Sequence, residues 1–140
     1  MLFPSVNLVG VLLAAVANMA IGFIWYHPAV LGKPWMRLMG FTAKSLKEAQ
    51  AKMGGLYGLS FISAIIQASV LNVVLKMTYV QTTSNALILS GMLWLGFIAV
   101  TQLTSSIFNN KPFNLHLLTI NTGYQLVSIT AMTAIIFSML

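Results

Sequence analysis

The chain has 140 residues, of which 59% are hydrophobic and only 6% charged, with a mean hydropathy of +0.91; a soluble domain, in which roughly a quarter of residues carry charge, is excluded. Seven Lys and Arg against a single acid give a net charge of +6, and because these basic residues fall between apolar stretches, anionic lipid headgroups are the expected partner and nucleic acid is not. The chain contains no cysteine, which excludes disulfides, thiolate catalysis and cysteine metal sites.

Four stretches are long and apolar enough to cross a bilayer, over residues 6–26, 55–76, 86–107 and 115–139. About 20 residues rising 1.5 Å each match a hydrocarbon core roughly 30 Å thick, where backbone polar groups are satisfied only within a helix or a closed barrel. The expected fold is all-α: a single integral membrane domain over residues 1–140, built as a four-helix bundle with a short interfacial helix in the first loop. Ala15-Val16-Ala17 offers a small-x-small cleavage pattern inside the first stretch. No basic segment precedes it, and the apolar run continues to Trp25 and Tyr26, an aromatic belt, so a retained span is expected.

His27-Pro28 ends the first helix, because proline lacks the backbone donor and pushes its predecessor out of the α region. Trp35, Met36, Leu38, Met39 and Phe41 then alternate with Lys33 and Arg37, as in a segment lying in the headgroup layer. The spacing Ser45-x-x-Glu48 predicts a capping box that opens a short helix with Leu46, Ala49 and Met53 on one side. Lys44, Lys47 and Lys52 then face solvent or phosphate, with Trp25, Tyr26, Lys33, Trp35 and Arg37 completing the interfacial set. This loop reads either as a docking site for an anionic lipid or partner, or as ordinary charged-loop chemistry, and the second reading is preferred. Gly54-x-x-x-Gly58 opens the second span with a small-residue notch that admits a neighbouring helix, from the same subunit or another.

The first loop holds Lys33, Arg37, Lys44, Lys47 and Lys52, and the third connection holds Lys111; Lys76 alone follows the second span. Six of seven basic residues thus share one side, and the positive-inside rule makes the first and third connections cytoplasmic, with both termini outside a cell membrane. A weak internal echo, Lys33-Pro34-Trp35 and Lys111-Pro112-Phe113, follows the first and third spans on that side; it is too short to establish a duplicated hairpin.

Steps of 100° place a polar stripe on every span. Asn7, Ala14, Asn18, Gly22 and Trp25 share a face of the first; Ser60, Ser63, Ala64 and Gln67 of the second; Gly91, Ile98, Gln102 and Ser105 of the third; and Asn121, Tyr124, Gln125 and Ser128 of the fourth. Depth counted from alternating helix starts puts Asn18, Gln67 and Gln125 near mid-membrane and brings Gln102 level with Asn121, within reach of a direct bond. Such a seam is either interhelical glue or a hydrated path or small-molecule pocket; glue is preferred, because ionisable groups are the usual mark of transport and no Asp or Glu lies in any span. His27 and His116 lack the acid, thiolate and spacing that catalysis or metal binding requires, so no catalytic residue, metal site or cofactor is expected.

The run Trp25-Tyr26-His27-Pro28, then Gly32-Lys33-Pro34-Trp35-Met36 and Gly40, Gly54-Gly55-x-Tyr57, Trp94-Leu95-Gly96-Phe97 and Asn121-x-Gly123-Tyr124 resembles bacterial membrane proteins of domain-of-unknown-function family 1761. The resemblance spans nearly the whole chain. It implies a small four-helix membrane protein without an established activity, with Trp25, Tyr26, Pro28, Trp35, Trp94, Gly96, Asn121 and Tyr124 as shared framework. The function expected from residues and resemblance together is non-enzymatic, acting by association with itself, as a homo-oligomer, or with a partner; passage of a small solute along the seam is the alternative.

The charge asymmetry makes a direct prediction. Cysteines introduced at Ser84 and Ser45 will react with an impermeant thiol reagent from opposite faces of sealed cells, Ser84 from outside. Labelling of position 45 from outside reverses the orientation.

Overall fold

The structure, a computed structural model, describes residues 4–140. Four helices long and apolar enough to span a membrane run over Leu8–Trp25, Met53–Met77, Thr83–Ile107 and Leu115–Ser138. The first is α1. A π-helical turn, Pro28–Gly32, leads from it into the short helices α2, Lys33–Met39, and α3, Ala43–Ala51. The second span is α4, Met53–Met77; the third is built from α5, Thr83–Leu93, a π-helical turn, Trp94–Ala99, and α6, Val100–Ile107; the fourth is α7, Leu115–Ser138. The bundle is all-α, as composition and span length require.

Local chemistry sets the boundaries. After α1 the His27 ring Nδ1 accepts the Ala29 N–H at 3.1 Å, so histidine caps the π turn that Pro28 starts. Gly32 closes the turn, and a β-carbon there would collide with the Tyr26 carbonyl. The predicted capping box at Ser45 and Glu48 is displaced by one helical turn. Thr42, in extended backbone, is the N-cap, and Ser45 is the third residue of α3; the Thr42 side chain accepts from the Ser45 N–H at 3.1 Å while the Ser45 hydroxyl accepts from the Thr42 N–H at 2.8 Å. Gly40 ends α2 in the left-handed region, so the new helix starts early enough for the serine to take the role that glutamate usually fills.

α1, α4 and α7 pack on one another, and the third span docks chiefly on α7. Only Ala86 and Ser90 of the third span are buried inside the protein, against seven residues of the fourth, which makes it a peripheral helix. Burial is also uneven along the helices. The hydrophobic core, including Val11, Ala14, Ala68, Leu75, Met132 and Ile136, lies toward the end of the bundle where the chain begins and ends, here termed the terminal end. Alanines at contact points, Ala14, Ala68 and Ala86, are fully buried and let helix backbones approach closely, which is how helices gain packing energy where lipid is as apolar as leucine. Two polar clasps close this end. The Asn7 amide accepts the Gly10 N–H at 3.1 Å and donates to the Met139 carbonyl at 2.9 Å, and the Lys76 ammonium donates to the Ser5 carbonyl.

The opposite, basic end is open. Residues 54–60 of α4 are all exposed, and a β-carbon added at Gly54, Gly55 or Gly58 would meet nothing within 4 Å among the described residues. An edge-to-face contact of Phe23 with Tyr57, centroids 5.1 Å apart, joins α1 to this half of α4. Ser60 and Ser63, expected on an inward stripe, are therefore exposed; the Ser63 hydroxyl bonds back to the Leu59 carbonyl at 3.0 Å. The stripe projects correctly by angle, but the described residues leave that side of α4 uncovered at this height.

Overpacking will separate the two halves. Ala68→Leu at the terminal end will destabilise the protein in detergent by about 1 to 3 kcal/mol, whereas Ser60→Leu will leave the thermal midpoint nearly unchanged, as scanning fluorimetry will report.

Candidate functional site

Within a bilayer a polar side chain either finds a protein partner or pays for its lost hydration, and α1 and α7 meet this requirement together. Asn18 of α1 is 7% exposed and Ser128 of α7 is 1% exposed. The Asn18 Nδ2 donates to the Ser128 Oγ at 2.6 Å and approaches the Met132 Sδ at 3.6 Å. The Tyr124 hydroxyl is 3.0 Å from the Asn18 Oδ1 and 3.2 Å from its carbonyl, donating to that oxygen pair. Gly22 makes room for this phenol: a β-carbon there would lie 3.2 Å from the Tyr124 hydroxyl.

One turn nearer the basic end the contacts become aromatic. The Trp25 Nε1 donates to the Ile120 carbonyl at 2.9 Å, with Gly123 beneath the indole so that the two backbones stay close. The Tyr26 hydroxyl donates to the Asn121 Oδ1 at 2.8 Å. Its ring packs edge-to-face on Tyr124 and on Trp35, centroids 5.5 and 5.3 Å away, and Trp35 in turn packs on Phe41 at 5.5 Å. Burial first, and then neighbouring Tyr124, push the Tyr26 phenol up to about 12. It therefore remains a donor to Asn121 throughout the physiological range. Trp94 adds the third span to this assembly, its Nε1 donating to the Thr122 carbonyl at 2.8 Å.

An open cavity of about 830 Å³ lies at the basic end, between α2 and the start of α7. Leu38, Met39, Leu117 and Leu118 supply apolar walls, and Lys111, Asn109, Asn110 and Asn114 supply polar ones. Asn121 lines the cavity as well, so the hydrogen-bonded seam between α1 and α7 meets this opening at a single side chain.

The residues singled out in the sequence are distributed unevenly. Asn18, Asn121 and Tyr124 join the seam. Gln67 and Gln125 are half-buried and make no side-chain hydrogen bond among the described residues. The expected Gln102–Asn121 bond is absent: Asn121 receives Tyr26 instead, and the Gln102 Oε1 is buried without a partner among the described residues. The π-helical turn at Trp94–Ala99 widens the helical repeat just before Gln102, so steps of 100° misplace every side chain that follows it. Trp25, Tyr26 and Trp35 turn their polar edges or rings toward the bundle, whereas Lys33, Arg37, Lys44, Lys47 and Lys52 are exposed at the basic end. Asn72 on α4 and Thr133 on α7 escaped the sequence reading although both are fully buried. The available signal for Asn72 was an amide amid the apolar run of residues 68–75.

A family model described as a protein of unknown function (DUF1761) matches residues 9–137, nearly the whole chain, and the chain belongs to that family. No curated protein and no solved structure gave a match.

Coupling energies will follow the observed bonds. Asn18→Leu will cost about 0.5 to 2 kcal/mol of bundle stability in detergent, and combined with Tyr124→Phe the loss will be smaller than the sum. Gln102→Leu and Asn121→Leu will add, because those amides do not touch; a non-additive pair would place them in contact.

Proposed function

We propose that this DUF1761 protein is a non-enzymatic, multi-pass protein of the cell membrane that acts by association, pairing with a second copy through the basic half of α4. The observation that carries this reading is the open space around Gly54, Gly55 and Gly58. Glycine weakens a helix by about 1 kcal/mol relative to alanine, and among the described residues no close approach calls for glycine at these positions. Beyond the notch the same exposed side continues through Leu59, Ile62, Ile66 and Val70, so one helix offers a small-residue groove followed by an aliphatic ridge. Two copies in the same orientation meet such a surface about a two-fold axis along the membrane normal, groove against ridge, without any new polar group entering lipid. The positive-inside rule puts this half of α4 at the cytoplasmic face, where the exposed lysines and Arg37 of the first loop meet anionic headgroups. Direct bonds between Asn18, Ser128 and Tyr124 suit a seam used for packing, and the one acid, Glu48, lies outside the spans.

Passage of a small solute along the seam is a second reading, and the meeting of the cavity with Asn121 favours it. Proteoliposomes swollen by small neutral solutes at rates that Asn121→Leu abolishes would establish it.

Self-association has its own test. Gly58→Leu will shift the protein from dimer to monomer in mild detergent while its far-ultraviolet circular dichroism is unchanged, because leucine blocks a second backbone without breaking a helix. A dimer that survives the substitution, or a wild-type protein that sediments as a monomer in lipid nanodiscs and mild detergent alike, would contradict the reading. Pairing with an unrelated membrane protein would show as a monomer that Gly58→Leu leaves unaltered.

A further inference from the structure

Three of the four asparagines that line the cavity at the basic end have their side-chain oxygens engaged within the protein. The Asn109 Oδ1 accepts the Lys111 N–H at 2.8 Å, the Asn114 Oδ1 accepts the Leu117 N–H at 3.0 Å, and the Asn121 Oδ1 accepts the Tyr26 hydroxyl at 2.8 Å. What remains on each amide is its pair of N–H donors, and none of the three nitrogens has a hydrogen-bond partner among the described residues. Lys111 lines the same cavity and adds a positive charge, whereas no acid lines it; the one acid of the chain, Glu48, lies on α3. Asn110 and the Ser106 hydroxyl, which itself donates to the Gln102 carbonyl at 2.8 Å, complete the polar side. Two such neutral oxygens do not hold a hard cation, which needs about six. The lining therefore selects an anion.

Depth and shape narrow the class of anion. Asn121 is bonded to Tyr26, which caps the end of α1 next to Trp25 and packs on Trp35, and Trp and Tyr mark the level of lipid headgroups. Opposite the donors, α2 and the first turn of α7 present leucine and methionine, so the occupant carries a negative head and an apolar body. The volume of about 830 Å³ falls in the range of sites that hold small organic molecules, and the cavity is open, so that a hydrocarbon tail can leave it.

We propose that this cavity binds the headgroup of one anionic phospholipid, its phosphodiester held by the Lys111 ammonium and the amide nitrogens of Asn109, Asn114 and Asn121. Phosphate oxygens accept several bonds at once, and the bond from a charged donor is the strongest of them. The exposed lysines of α2 and α3 attract anionic headgroups in general; the cavity instead takes one molecule in one place, between the interfacial helix α2 and α7. The site is independent of pairing between copies, since the notch proposed for pairing lies on α4.

The test is native mass spectrometry of the full-length protein in detergent, titrated with phosphatidylglycerol, with phosphatidylcholine and with inorganic phosphate. One phosphatidylglycerol per subunit will bind saturably, and phosphatidylcholine, which carries the same phosphodiester without net charge, will bind far more weakly. Lys111→Gln will weaken phosphatidylglycerol binding by about tenfold, whereas Lys44→Gln, which removes the same charge from exposed α3, will leave it nearly unchanged. Asn114→Asp keeps the cap of α7, because aspartate caps a helix as well as asparagine does, but it sets a carboxylate against the phosphate and will abolish binding. Equal losses from Lys111→Gln and Lys44→Gln, or undiminished binding to the Asn114→Asp variant, would mean that lipid adheres to the basic face at large, which overturns the proposal. So would equal binding of the two lipids. Inorganic phosphate that displaces phosphatidylglycerol at equal concentration would make a free anion the occupant and overturn the assignment to lipid.

Discussion

The hydrocarbon core offers no hydrogen bonds, and the organisation of this protein follows from how it meets that constraint. Lipid competes with leucine for every apolar contact, so burial of aliphatic side chains does little to choose one helix arrangement over another. Polar groups do choose. Asn18 finds Ser128 and Tyr124 on α7, Trp25 and Tyr26 find the Ile120 carbonyl and Asn121 one turn away, and these bonds fix the register of α1 on α7 along most of their shared length. Gly22 and Gly123 sit where the two backbones draw nearest under large aromatic rings. The α1–α7 pair is thus the frame on which the other spans are hung.

What is hung on it is asymmetric. At the terminal end fully buried alanines bring α4 and α5 inward, and the Asn7 and Lys76 clasps tie chain ends to helix ends. At the basic end α4 carries glycines where a tight bundle would carry alanine facing a neighbour, and the third span is held chiefly to α7, through Trp94. A bundle closed at one end and open at the other has a fixed core and two helix halves free to meet another surface. On the proposed reading, that division assigns stability to one half of the membrane and recognition to the other.

The amino-acid sequence made the four spans legible because length and apolarity alone decide them, and the face of α1 was legible because its small and polar residues recur at a helical period with no interruption. Two features defeated the same reasoning. Angular projection on α4 grouped Ser60 and Ser63 with Ala64, correctly as geometry, but projection carries no information about where along its axis a helix is covered by neighbours; the buried residues of α4 all lie from Ala64 onward. On the third span the π-helical turn at Trp94–Ala99 inserts extra backbone that no periodicity count anticipates, and the pairing of Gln102 with Asn121 fails for that reason. Asn72 was overlooked because a single amide forms no stripe, although a lone amide inside an apolar run is the more telling signal: it has no shared polar face to retreat to. For α3 the error was of one turn only, since Thr42 and Ser45 offer the same reciprocal bonds as the expected serine and glutamate.

The most direct test of the division between a fixed half and an associating half is double electron–electron resonance on protein carrying one spin label, at Ser60, in lipid vesicles at low protein-to-lipid ratio. A single label per copy reports only distances between copies. Association through the basic half of α4 predicts a narrow, short intermolecular distance at position 60 and a longer one when the label is moved to Ser84 on the peripheral third span. A featureless decay at position 60, as dispersed monomers give, or a shorter distance at 84 than at 60, would contradict it.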